Sequence, residues 1–118
     1  MNHCVIIRYT DGVRHHQPNH RDKQDFGDET PPGFRDIKRG SSLFVVSLGE
    51  PRRFRLTPFP PQGRAPCWEE ALAHGSLMTM TAYGNEHCVH AVPPDPRWPG
   101  PVRYSLVFRT IATTRGRR

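Results

Sequence analysis

No apolar run in these 118 residues approaches the length that crosses a bilayer, and the N-terminus lacks the pattern of a secretory signal. The expectation is a soluble, intracellular chain with no membrane partner. Cysteine is scarce: Cys4, Cys67 and Cys88 are odd in number, widely scattered and form no CxxC pair. That argues against a disulfide framework and for a reducing compartment. Lysine is nearly missing, since fifteen of the seventeen basic residues are arginine, and the formal charge is +6. Arginine prefers phosphate and carboxylate partners, so the composition admits an anionic partner such as nucleic acid. Arg115, Arg117 and Arg118, at the very end, alone supply three of those charges. Internal repeats are absent, and the length fits one small domain.

Helical periodicity is also missing, whereas 13 prolines and 10 glycines punctuate the chain. What remains is short extended runs. Cys4–Tyr9 is β-rich and closes on the turn signal Thr10-Asp11-Gly12. Residues 13–40 read as one long polar loop, a length that in a compact domain points to function or disorder. Ser42–Leu48 is the most strand-like segment, and Arg53–Thr57 alternates with period two, which predicts a hairpin across Gly49. Residues 58–66 form a proline-rich connection, and 69–74 fit either a turn of helix or a bulged strand. Ser76–Met80 and His87–Val92 read as strands, with Leu77 and Val89 turned to a core. Val102–Ile111 alternates throughout. The pattern suggests a β-sandwich or jelly roll.

Candidate chemistry sits on three of these segments. In His20-Arg-Asp22, side chains two apart share one side of an extended backbone, so an imidazole and a carboxylate face the same way. A second imidazole would complete the two-histidine, one-carboxylate face that holds iron(II) and leaves other positions open. His87 and His90 both qualify by position and spacing does not separate them, while His74, before Gly75, suits a structural role. Histidines 15 and 16 lack an acid two residues on and read as loop residues. Arg103 and Arg109 are six apart in one strand and so share a face with Ser105 and Val107, opposite apolar Leu106 and Phe108. Two arginines turned inward need anions, and a dicarboxylate meets that need.

The ordered set of motifs resembles the AlkB-like 2-oxoglutarate and iron(II)-dependent dioxygenases over nearly the whole chain, residues 1–112, leaving 113–118 as a basic C-terminal tail. The resemblance rests on Asn2–Tyr9 with Asp11-Gly12, His20–Lys23, Val46–Gly49 with Arg53-Phe54, Leu72–Leu77 with Met80, His90–Pro93 and Arg103–Arg109. It implies a mainly β fold with a double-stranded β-helix (jelly-roll) core. It also implies that His20, Asp22 and His90 bind iron, with His90 chosen over His87 because it immediately precedes Ala-Val-Pro. Arg103, assisted by Tyr9 and Ser105, would grip the distal carboxylate of 2-oxoglutarate, and Arg109 would face the end that chelates the metal. The implied reaction consumes molecular oxygen and decarboxylates 2-oxoglutarate to succinate while hydroxylating an N-alkyl group that leaves as an aldehyde. Alkylated bases in DNA or RNA are the expected substrate.

Two departures accompany the resemblance. Many relatives carry an asparagine where this chain has Ile7, and the chain begins where relatives have already passed their N-terminal nucleotide-recognition lid. The expectation is therefore a fragment with an N-terminally truncated core, a minimal family member or a diverged remnant, and substrate recognition is the least transferable part. The same chemistry on a protein or small molecule, and a non-catalytic basic binding module on the same scaffold, are the competing expectations. Arg14, His15, His16 and Lys23 beside the metal motif tilt the choice toward a phosphate-bearing substrate. Oligomeric state is left open.

Overall fold

In a computed structural model the chain is described at residues 1–22, 37–38, 40–96 and 102–111. Lys23, most of the 13–40 stretch and the 113–118 tail lie outside the described residues. Among the described residues, eight strands and one short helix follow in order: β1 (His3–Tyr9), β2 (Gln17–His20), β3 (Leu43–Gly49), β4 (Arg52–Pro58), β5 (Trp68–Leu72), β6 (Leu77–Met80), α1 (Ala82–His87), β7 (Cys88–Val92) and β8 (Arg103–Arg109). They form two antiparallel four-stranded sheets, ordered β1-β8-β3-β6 and β2-β7-β4-β5. This is the jelly roll the sequence suggested, with the inner faces enclosing Tyr9, Ile37, Leu43, Phe54, Leu72, Met80 and Val92. No helix among the described residues is long and apolar enough to cross a membrane.

Several local expectations change. Gly49 does not turn a hairpin: β3 pairs with β6 and β8, whereas β4 pairs with β5 and β7 in the other sheet. The chain therefore crosses between sheets there. The crossing needs the left-handed backbone of Gly49, at φ 97°. A Cβ on Gly49 would run into the Val102 carbonyl oxygen and sit 3.2 Å from Arg103 Cα. Gly49→Ala is therefore expected to destabilise the fold by about 2 kcal/mol or more, read from the urea midpoint, because strained backbone and a backbone clash add. Trp68–Leu72 resolves as a strand and not a helical turn. His87 belongs to α1, whose N-cap Thr81 accepts a hydrogen bond from the Gly84 N–H at 3.0 Å.

Leu77 points outward at 63% exposure, not into the core, while Val89 is buried as expected. Register explains Leu77: Ile6, Leu106, Val46 and Leu77 lie in one row across β1, β8, β3 and β6. Those positions alternate with the inward ones, so Met80, not Leu77, packs inside. The long polar loop contains β2, which pairs with β7 through a register shift. Gln-Pro-Asn-His carries no apolar alternation, so nothing in its composition marked it as a strand.

Candidate metal centre

Strand pairing assembles this site. His20 on β2 lies directly opposite His90 on β7, and their ring centroids are 4.1 Å apart. Cross-strand neighbours of this kind meet because opposed Cβ atoms in an antiparallel pair are close. Asp22 reaches both imidazoles: its Oδ1 is 3.3 Å from His20 Nε2 and 3.2 Å from His90 Nε2. An ion with ligand bonds of about 2.1 Å at right angles would separate its ligand atoms by about 3.0 Å. The observed spacings fit that, and among the described residues this is the one cluster of metal-ligating side chains within reach of one ion. His90 is thus drawn in, while His87 is half exposed beside Glu86 and Tyr83. His74 accepts the Gly49 N–H at 2.9 Å, a structural use.

The neighbours of His20, Asp22 and His90 set their orientation. His20 Nδ1–H donates to the Pro18 carbonyl at 2.7 Å, which orients the ring and turns Nε2 toward Asp22. Phe54 stacks on the His90 ring with centroids 5.5 Å apart. Burial raises the Asp22 pKa, but hydrogen bonds from His20 and His90 outweigh it and hold the carboxyl well below the ordinary range. The same Asp22 hydrogen bond raises His20. Before any cation arrives, the carboxylate is ionised and waiting.

Asn85 is a residue the sequence reading missed. It is fully buried on α1, accepts the Asp22 N–H at 2.9 Å and donates to the Asp22 carbonyl at 3.1 Å. That two-point clamp on the backbone fixes where the carboxylate stands. Asn85→Ala would strand two backbone groups and loosen the ligand. Mn2+ affinity, followed by electron paramagnetic resonance, is expected to fall about 10–100-fold. An unchanged affinity alongside a lowered melting temperature would make Asn85 merely structural.

The same pocket, about 130 Å³, is lined by His20, Asp22 and His90 and by Tyr9, Arg103, Ser105 and Arg109. Its other walls are mainly apolar, from Val5, Ile7, Leu43, Val45, Val92 and Val107. Arg103 is 1% exposed, donates from Nη2 to the Ser47 hydroxyl at 2.9 Å and packs 5.0 Å from the Tyr9 ring centre. Its Nε and Nη1 are buried without a hydrogen-bond partner among the described residues. Burial lowers the Arg103 pKa and raises that of Tyr9. A buried guanidinium with two idle donors is chemically suited to an anion. Arg109 sits on the Asp22 side, with Nη1 3.9 Å from Asp22 Oδ2 and Nε donating to His3 Nδ1 at 3.1 Å. Arg52, also missed, is 1% exposed, 5.4 Å from the Tyr9 ring, and donates to the Pro93 carbonyl at 2.9 Å. Its signal was available, because Phe54 facing inward puts Arg52, two residues away, on the same side.

Known proteins resemble this chain in sequence and in fold. Human DNA oxidative demethylase ALKBH2 is 33% identical over 97% of this chain and 41% of the relative's own length. The mouse and bovine proteins of the same name are each 32% identical, over 97% and 96% of the chain. The chain is AlkB-like. It spans about four-tenths of the length of the curated relatives it matches. No family model matches. Among solved structures, a Pseudomonas putida prolyl-4-hydroxylase superposes with TM-score 0.50 over 91% of this AlkB-like chain and 51% of that one, at 20% identity. That likeness concerns the fold, which the two share.

Proposed function

We propose that this AlkB-like chain is an iron(II) and 2-oxoglutarate-dependent dioxygenase that removes alkyl groups from nucleic-acid bases. The observation that carries the reading is one pocket bounded by His20, Asp22 and His90 and also by a buried, under-partnered Arg103. In this reading the first three hold iron. Arg103, with Tyr9 and Ser105, takes the distal carboxylate of 2-oxoglutarate through charge-assisted hydrogen bonds, and Arg109 stands beside the keto-acid end. When bound, the metal supplies the oxidising chemistry that couples oxygen and 2-oxoglutarate to hydroxylation of an N-alkyl group, with succinate and carbon dioxide leaving.

The chain's own residues do the rest. Asp22, held ionised, keeps two imidazoles and one carboxylate turned to the same point. The apolar walls exclude water, which strengthens the Arg103 contact. The nucleic-acid substrate is favoured by the +6 charge, by the arginine excess and by relatives named as DNA oxidative demethylases.

The test supplies iron, ascorbate, 2-oxoglutarate and an oligonucleotide carrying N-methylated bases. Formaldehyde and succinate are expected in equal amounts, both lost in His20→Ala. Succinate formed at the same rate with and without the oligonucleotide would move the substrate to a protein or small molecule. No succinate at all would leave a binding module.

A further inference from the structure

Two large aromatic side chains, one of them on the helix whose Asn85 holds the Asp22 backbone, are turned to solvent: Tyr83 is 72% exposed and Phe59 46%. They belong to one cluster built from three segments. On α1, Tyr83 and His87 are four residues apart, so they share a face, and their ring centroids lie 4.1 Å apart. The Phe59 N–H donates to the His87 carbonyl at 2.9 Å, which fastens the segment after β4 to the end of α1. From the far end of β2, the Arg21 guanidinium lies 4.1 Å over the Phe59 ring and donates to the Glu86 carbonyl at 3.0 Å. Arg64 adds a second guanidinium, donating to the Phe59 carbonyl at 3.4 Å. The Glu86 carboxylate, 3.8 Å from His87, is the opposing charge.

The cluster is continuous with the metal-ligating residues through two links. Arg21 immediately precedes Asp22, and Asn85, which clamps the Asp22 backbone, lies between Tyr83 and His87 on α1. One side of this short helix fixes Asp22 while another offers rings to solvent. Exposed rings interleaved with guanidinium groups match what single-stranded nucleic acid requires: every base has a π-face to stack, and every linkage carries a phosphate. A protein hot spot would instead place such rings in a desolvated centre of a larger apolar surface.

We infer that Tyr83, His87, Phe59 and Arg21 form a stacking platform at the lip of the pocket, which holds the bases flanking the one that enters it. The inference rests on the nucleic-acid reading above and adds to it where the neighbouring nucleotides lie. Tyr83 and Phe59 supply stacking surfaces, and Arg21 and Arg64 supply charge for the adjoining backbone.

Binding of the full chain to two fluorescein-labelled probes of about twelve nucleotides, followed by anisotropy, tests this. One probe is oligo-dT; the other is an abasic strand with the same number of phosphates. The expected result is a preference for oligo-dT of about tenfold or more in the wild type. Tyr83→Ala and Phe59→Ala should each weaken oligo-dT binding about tenfold while leaving the abasic probe unaffected. Tyr83→Trp should restore the preference. Because Tyr83 is so exposed, its variants are expected to stay folded, which circular dichroism checks. Alanine variants that keep the full preference, or a wild type that binds both probes equally, would overturn the platform and leave the nucleic-acid reading standing. Failure of the wild type to bind either probe would overturn both, as would displacement of oligo-dT by polyglutamate at equal charge concentration.

Discussion

Asp22→Ala is expected to abolish both divalent-metal binding and 2-oxoglutarate turnover. The carboxylate is the shared partner of both imidazoles, at 3.3 and 3.2 Å, and it carries the one negative charge of the cluster. Without it, two imidazoles and the nearby Arg109 guanidinium would face the cation, so a ligand is lost and a repulsive charge is unmasked. The loss should exceed the roughly 10–100-fold typical of residues that merely support a ligand. The measurement is the rise in melting temperature produced by Mn2+, since a cation that binds only the folded chain stabilises it by mass action. Wild type should show the rise and Asp22→Ala none, with Asp22→Asn intermediate because it keeps one oxygen donor. A variant that retains the wild-type rise would remove Asp22 from the metal and sink the reading.

Arg103→Met should have an effect of similar size on the cosubstrate and the opposite effect on the empty fold. Truncating one side of a buried charged contact costs about 2–5 kcal/mol, so kcat/KM for 2-oxoglutarate is expected to fall on the order of 10²–10³-fold. With ligand absent, however, Arg103 is a buried cation with two idle donors, held by Ser47 and the Tyr9 ring. Replacing it by an apolar chain of similar length removes that penalty, so the unliganded variant should melt at or above the wild-type temperature. Titrating 2-oxoglutarate against melting temperature in the presence of Mn2+ reads both effects. A variant that keeps its response to 2-oxoglutarate would show that Arg103 does not hold the cosubstrate.

Much of the architecture could be read along the chain because alternation is a local property. Val102–Ile111 announced both its faces: Arg103 and Ser105 are buried, and Val107 and Arg109 line the pocket with them. The same alternation in Arg53–Thr57 fixed β4, and Phe54 within it marked the inward side. Where alternation is missing, reading failed. Gln-Pro-Asn-His became a strand only because β7 offered an unpaired edge, and the hairpin expected at Gly49 dissolved because β3 pairs with β6 and β8 while β4 pairs with β5 and β7 in the other sheet.

The candidate site divides the same way. His20-x-Asp22 and the paired arginines could be found because their members are two and six residues apart, within one segment. The choice between His87 and His90 could not be made from spacing, and needed either the resemblance or the pairing of His20 with His90. Asn85 left no trace in sequence, since an asparagine that binds backbone 63 residues away looks like any turn residue.

The amino-acid order alone thus determined the strands that alternate, the jelly-roll class and the AlkB-like motifs, all of which depend on short-range periodicity and residue type. The tertiary structure decided which imidazole meets the carboxylate, what clamps that carboxylate, and which guanidinium groups are buried. Those are outcomes of sheet register and of packing between distant segments, and the free energy of such contacts exists only once the two sheets have closed on each other.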